Sequence, residues 1–476
     1  MKQNFIAGEW VDGVDAEANI NPSDTSDVIA EYALADAAQT QRAIEAASAA
    51  APGWANSSIQ QRSDMLDAIG NEILARKEEL GEMVSREEGK TLPEGIGETV
   101  RAAQIFKFFG AEALRVSGEI FDSVRPGLDV SVTRPPVGVV GLILPWNFPI
   151  AITARKVAPA LAYGNTVVFK PAALVPATAH IMSEIIVNAG IPDGVFNLVM
   201  GSGSKVGATI VSHPKVNAVS FTGSVATGRG VAAECGARMA KVQLEMGGKN
   251  PLVVLDDADL DIAVECAVNG AYFSTGQRCT ASSRLIVTKG IHDKFVAAVK
   301  ERLAGLVTDH ALKQGTHIGP VVDARQLKQD VDYIQIGKEE GANLVCGGEQ
   351  VKRDTEGFYL TPALFTETNN DMRINREEVF GPVASVIPAN DYEEALAIAN
   401  DTDFGLSSGI ITTSLKHASH FKRNIQSGVT MVNAPTAGVD YHVPFGGSKG
   451  SSYGSREQGR YAREFYTTVK TAYTQA

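Results

Sequence analysis

An α/β protein with two open, mostly parallel sheets, each covered by helices, and a small exposed β extension is the fold class this sequence predicts. Three observations predict it. Over residues 137–234 short apolar runs alternate with segments of helical period, and a second such series follows Gly248. Such alternation gives parallel strands with helices packed on both faces. Residues 118–138 and 462–476 are instead rich in Val, Thr, Tyr and Ser and lack helical period. They suit exposed strands that need a partner, and hence oligomerisation.

Residues 40–115 read mainly as helices, with Met65, Leu66, Ile69, Ile73 and Leu74 at three- and four-residue spacing. The first alternating series then runs strand 137–144, helix 154–163, strand 166–169, helix 177–188 and strand 195–199. It continues through helix 204–212, strand 218–221 and helix 225–234. In the second series, strand 251–255 and helix 260–270 flank an acidic turn at 256–259. Strand 284–287, helix 291–306 and strands 384–387 and 408–411 follow. The boundary between the two units falls near 245–250. One continuous domain is the less favoured alternative at this length.

The chain has 476 residues, 44% of them hydrophobic, enough for a large core and two or three domains. A net charge of −12 without a long Lys/Arg run argues against nucleic acid or an anionic membrane as partner. Residues 1–10 hold no apolar run, so no secretory signal is expected. The most apolar stretch, 137–152, is broken by Pro145, Asn147 and Pro149 and is too short to span a bilayer. Cys235, Cys266, Cys279 and Cys346 form no CxxC pair. That spacing disfavours a disulfide framework or a zinc site and fits a reducing cytoplasm. The eight histidines include no HExxH, so no metal is expected.

Three segments carry the chemistry. Tyr272-Phe-Ser-Thr-Gly-Gln-Arg-Cys-Thr-Ala-Ser282 sets a thiol among small and polar residues, which does not read as core packing. Leu244-Glu-Met-Gly-Gly-Lys249 presents a lone carboxylate before a diglycine turn, and Pro145-Trp-Asn-Phe-Pro149 presents an amide. Singly each reads as a loop. Together they supply a nucleophile, a base and an amide donor, the set needed for covalent chemistry at a carbonyl.

A cofactor segment is also legible. Val219-Ser-Phe-Thr-Gly-Ser-Val-Ala-Thr-Gly228 is a strand, a small-residue turn and a helix. Gly223 and Ser224 would offer backbone N–H groups and a helix dipole to a phosphate. A plain strand-to-helix connection is the alternative. Gly201-Ser-Gly-Ser-Lys-Val-Gly207 spaces its glycines as GxGxxxG, not as the dinucleotide fingerprint GxGxxG. Lys170 lies just past a strand end, where open parallel sheets bind ligands, and suits an adenosine ribose better than bulk solvent.

In this order the segments resemble the aldehyde dehydrogenase superfamily. The specific matches are Pro145-Trp-Asn-Phe-Pro149, Phe221-Thr-Gly-Ser224, Leu244-Glu-Met-Gly-Gly-Lys249, Gly276-Gln-Arg-Cys279, Glu377-Glu-Val-Phe-Gly-Pro382 and Pro444-Phe-Gly-Gly-Ser-Lys449. Similar segments run from Trp10 to Lys470. The resemblance implies two Rossmann-like domains and a small β arm joining subunits into dimers or tetramers. Residues 1–117 and 139–246 would form the coenzyme domain, 247–440 the catalytic domain, and 118–138 with 462–476 the arm.

By the same resemblance, Cys279 attacks an aldehyde as thiolate, and Asn147 with the Cys279 backbone N–H stabilises the oxyanion. Loss of one such donor costs roughly 3 kcal/mol of barrier. Hydride leaves to NAD or NADP, and Glu245 activates the water that hydrolyses the thioester. Glu457 matches a carboxylate that relays protons. Glu378, with Phe380, matches the nicotinamide-ribose site, Lys170 the adenosine-ribose lysine and Ser224 the pyrophosphate contact. Trp146 and Gly223 fall in the cofactor set with them. Members that use coenzyme A or acyl phosphates usually lack Glu245, so hydrolysis to a free acid is implied.

One position departs from the pattern of NAD-preferring members. They carry a glutamate three residues after the lysine, where Ala173 stands. Alanine would not repel a 2′-phosphate, so NADP is tolerated or preferred.

Arg155 falls where members acting on succinic semialdehyde hold the substrate carboxylate. A structural salt bridge is the even alternative. Arg278 adds a second cation. Phe148, Phe273 and Phe445 line the tunnel or, for Phe273 above all, pack as core aromatics. The stretch from His442 to Lys470 looks most like that of bacterial α-ketoglutaric semialdehyde dehydrogenases, with succinic semialdehyde the runner-up substrate. A broad dehydrogenase of neutral aldehydes is the second reading. A non-catalytic protein on this scaffold is the third, disfavoured by Cys279, Glu245 and Asn147 standing together.

Overall fold

The computed structural model describes residues 1–475. Its first sheet has eight strands, of which five are parallel: Phe196–Leu198, Thr166–Lys170, Val139–Ile143, Ala218–Gly223 and Lys241–Met246, in that spatial order. In chain order this reads third, second, first, fourth, fifth. Consecutive crossovers therefore run in opposite directions from Val139–Ile143, and a crevice opens between it and Ala218–Gly223. The Pro145–Pro149 loop and the Gly223-Ser224 turn leave the sheet at this switch point. These strands are apolar and buried on both faces, as a sheet covered by helices on both sides requires.

The second sheet has seven strands, in the order Asn343–Cys346, Ala363–Thr366, Val383–Ala389, Arg284–Thr288, Pro251–Val254, Ser407–Ile411 and Val429–Val432. All pairs are parallel except the first. Helices Ala37–Ala55, Ile59–Ala75, Lys77–Glu88 and Leu92–Ala113 precede the parallel strands of both sheets. A hairpin, Asp15–Asn21 with Asp24–Leu34, comes before them. The last of the four helices is closed by a capping box between Thr91 and Glu94. No helix among the described residues is long and apolar enough to cross a membrane.

Two parts differ from the sequence reading. The C-terminal β segment begins at Lys470, not 462: Gly459–Ala462 and Arg463–Tyr466 are helical turns. Phe465 and Tyr466 are buried there, and the Tyr466 hydroxyl donates to the Lys156 carbonyl at 3.0 Å, which fixes the turns on the first unit. Only beyond them does Lys470–Gln475 pair with Leu128–Thr133, which pairs in turn with Glu119–Asp122. Second, Ser452–Tyr453 crosses back to pair antiparallel with Lys241–Met246. Two residues carry too little pattern to announce a strand. This crossing brings the C-terminal segment against Glu245.

Candidate active site

The loop that carries Cys279, the expected nucleophile, is held in strain. Helix Leu260–Tyr272 is followed by Ser274, Thr275 and Gly276 at φ of 50°, 56° and 67°. For Ser and Thr this region costs about 1–3 kcal/mol each, so it persists only where surroundings impose it. Glu94 accepts from the Ser274 backbone N–H at 2.7 Å, and Thr275 Oγ1 donates to the Gly319 carbonyl at 3.1 Å. A Cβ on Gly276 would lie 2.2 Å from the Gly381 carbonyl oxygen. Downstream, Asn250 Nδ2 donates to the carbonyls of Cys279 and Ala281 at 2.8 and 2.9 Å. The half-buried Cys279 is thus tied from both sides, once to helix Leu92–Ala113 and once to the chain leaving Glu245.

Asn147 is buried two residues before Pro149, the first residue of helix Pro149–Ala162. Its side-chain amide donates to the Gln277 carbonyl at 3.0 Å, two residues before the thiol. Its backbone carbonyl accepts from Lys90 Nζ at 2.8 Å. The Lys90 ammonium also pairs with Glu98 at 2.6 Å and stands 3.8 Å over the Phe148 ring. The other Glu98 oxygen accepts from the N–H groups of Ile150 and Ala151 at 2.9 and 3.0 Å, capping that helix. One buried ion pair therefore fixes both the amide's loop and the helix that follows.

Glu245 is buried, with Ser452 Oγ donating to it at 2.6 Å. Burial, and then the Glu457 charge, raise its pKa above the usual carboxylate range. Glu457 is bonded by the Lys156 ammonium, which also donates to Ser220 at 2.6 Å. Burial pushes the Cys279 thiol up to about 12, with Arg155 the one charge opposing it.

A cavity of about 420 Å³ opens at Cys279, lined among others by Phe148, Arg155, Arg278 and Phe445. The Arg155 guanidinium lies 4.5 Å over the Phe445 ring and 3.7 Å from Glu457. Arg278 reaches the same cavity but is engaged by Glu94 at 3.3 Å and by Ser274 Oγ at 3.2 Å. Phe273 packs against the core of the second sheet.

A second cavity, about 700 Å³, lies at the switch point between Ile143 and Phe221 and runs to Gly203, Gly207 and Thr227. Ser224 caps helix Val225–Ala237, whose first turn holds no acidic residue to repel an anion. Lys170 is buried, bonds only the Pro171 carbonyl at 2.9 Å, and is lowered by burial to about 8. The buried Thr222 hydroxyl has no partner among the described residues. Ala173 is exposed beyond the Lys170 strand end. Glu378 accepts from the Gly248 N–H at 2.9 Å, and a Cβ on Gly247 would fall 1.9 Å from its carboxylate. Trp146 and Phe380 meet edge to face, with ring centroids 5.4 Å apart. A buried lysine with no carboxylate partner among the described residues, an unpartnered hydroxyl, a helix start without acidic residues and a buried carboxylate fit a dinucleotide.

The sequence reading passed over Lys90, Glu94, Glu98, Arg101, Lys156 and Ser452. A signal was present for the first four: charges recur at 90, 94, 98 and 101 in a helical stretch whose remaining positions are mostly apolar or small.

A profile of the Aldehyde dehydrogenase family matches residues 10–472. The sequence is 43% identical to an alpha-ketoglutaric semialdehyde dehydrogenase of Bacillus subtilis, over 99% of this chain and 97% of that protein. A crystal structure of betaine aldehyde dehydrogenase from Staphylococcus aureus in complex with NAD+ superimposes with a TM-score of 0.97 at 33% identity. It covers 100% of this chain and 95% of that one. An NADP-dependent enzyme of E. coli does so with a TM-score of 0.97 at 34% identity, over 100% and 98%.

Replacing Lys90 by Met strands Glu98 as an unpaired buried charge, at a cost of about 3–5 kcal/mol of stability. The double variant K90M/E98Q is expected to regain melting temperature while kcat stays low, because Asn147 remains unanchored. Calorimetry and steady-state kinetics on the three proteins check this. Glu245 must lose its proton to act as a base, and its pKa is raised. Turnover is therefore expected to climb from neutral into alkaline pH, not to level off by pH 6 as an ordinary carboxylate would allow. A kcat–pH profile checks it.

Proposed function

Because this chain belongs to the aldehyde dehydrogenase family, we propose that it oxidises a short ω-carboxylated aldehyde, α-ketoglutaric semialdehyde, to the free acid. The observation that carries the reading is Arg155. It lies in the cavity of Cys279, near enough to oppose the rise of the thiol pKa, and its one carboxylate neighbour, Glu457, is bonded more closely by Lys156. A guanidinium in that position suits a substrate carboxylate.

Cys279, as thiolate, adds to the aldehyde carbon. The Asn147 amide and the Cys279 N–H share the oxyanion charge. NAD or NADP, when bound, would supply the hydride acceptor; Ser224 and Gly223 at the helix start, Lys170 at the adenosine ribose and Glu378 with Phe380 and Trp146 near the nicotinamide would hold it. Glu245, freed from Ser452, takes a proton from the water that cleaves the Cys279 thioester. Glu457 and Lys156 form the buried path onward for that proton. Ala173 leaves room for a 2′-phosphate, which supports use of NADP. The exposed strands Glu119–Asp122 and Lys470–Gln475 support assembly into dimers or tetramers, and we place the enzyme in the cytoplasm.

Initial rates with α-ketoglutaric semialdehyde, succinic semialdehyde and pentanal, each with NAD and NADP, test this. The expected result is a much higher kcat/KM for the carboxylated aldehydes, the five-carbon one foremost, with NADP at least matching NAD. Pentanal turned over as well as either would leave a broad aldehyde scavenger. Efficiency with NAD far above NADP would remove the argument from Ala173.

A further inference from the structure

We propose that Arg101, together with Arg155, forms the site for the substrate's carboxylate, and that Arg278 is a structural ion pair. This rests on the substrate reading above.

Four cations line the cavity at Cys279: Lys90, Arg101, Arg155 and Arg278. Two carboxylates line it with them, Glu94 and Glu98. Glu98 is taken by Lys90 at 2.6 Å and Glu94 by Arg278 at 3.3 Å. Glu94 is further held by the Ser274 backbone, so its pair with Arg278 belongs to the framework of the nucleophile's loop. Arg155 has only the 3.7 Å contact with Glu457, whose nearer partner is Lys156. Arg101 has no ion-pair or hydrogen-bond partner among the described residues, and its Nε is buried. Burial, and then the like charge of Arg155, lower its pKa to about 10, which places the two guanidinium groups within each other's field. Asp440 and Glu98 act on it more weakly, and neither reaches pairing distance. Two like charges lining one cavity repel each other, and an anion seated between them relieves that repulsion. A carboxylate can do so, because each guanidinium offers two parallel donors.

The position along helix Leu92–Ala113 agrees. Glu94, Glu98 and Arg101 stand at i, i+4 and i+7 on one face. Glu94 holds the loop that carries Cys279. Arg101 stands about 10 Å further along the axis, where it meets the far end of a substrate and not its carbonyl.

The test compares wild type, R101M, R101K, R155M and R278M, each assayed with α-ketoglutaric semialdehyde and pentanal. The readout is the ratio of the two kcat/KM values. In R101M the ratio is expected to fall by about 10- to 100-fold, through KM of the carboxylated substrate. R101K should recover part of the loss, since a charge without the fork still attracts the anion. R278M should lower both substrates together and leave the ratio in place. A ratio unchanged in R101M while it collapses in R155M or R278M overturns the assignment of Arg101 and leaves the substrate reading intact. A wild-type enzyme without preference for the carboxylated aldehyde overturns the substrate reading itself.

Discussion

The buried ammonium of Lys90 holds the site together. Burial by itself would discharge it, but Glu88 and Glu98 outweigh that and keep it charged. Two of its donors bond Glu98 and the Asn147 carbonyl, and the Glu88 carboxylate lies 3.8 Å away as a second ionic neighbour. Glu98 carries the connection on to the helix that bears Arg155 and Lys156. Glu94, one turn earlier on the same helix, carries another to the strained turn before Cys279. The helical layer ahead of the two sheets thus fixes the distance between amide and thiol, although it supplies neither.

The same exclusion of water that makes these ion pairs strong works against the reacting groups. It raises the Cys279 thiol and the Glu245 carboxyl, and the roles proposed for them require the ionised forms. Burial thus biases both groups toward their protonated forms in the resting site. Arg155 is the cation placed to favour the thiolate, while Glu245 and Glu457 oppose it. A base that shares its surroundings with a second carboxylate stays weakly ionised near neutrality and is a better proton acceptor once it ionises.

How much of this the sequence disclosed depended on whether a residue's role is local. The parallel sheets were readable because buried strands are continuous apolar runs between turns, as at Val139–Ile143 and Pro251–Val254. Cys279, Asn147 and Glu245 stood out because polar residues beside glycine and proline have no packing reason to be there. Lys90, Glu98 and Arg101 lay inside an amphipathic helical region, where charges ordinarily face solvent. Only the tertiary contact with the Asn147 loop reveals that these face inward. Ser452 was hidden for another reason: its two-residue strand is defined wholly by the neighbour it pairs with. Arg278 stood out correctly as a cavity cation, but sequence spacing could not show its pairing with Glu94.

The reaction proposed for this site passes through a covalent acyl intermediate on Cys279, which water activated by Glu245 cleaves. The most direct measurement mixes the E245Q variant rapidly with α-ketoglutaric semialdehyde and coenzyme, follows reduced coenzyme, and then weighs the intact protein. A single burst of reduced coenzyme, stoichiometric with active sites, is expected, followed by slow turnover and an acyl adduct on Cys279. Undiminished steady turnover with no burst and no adduct would contradict it.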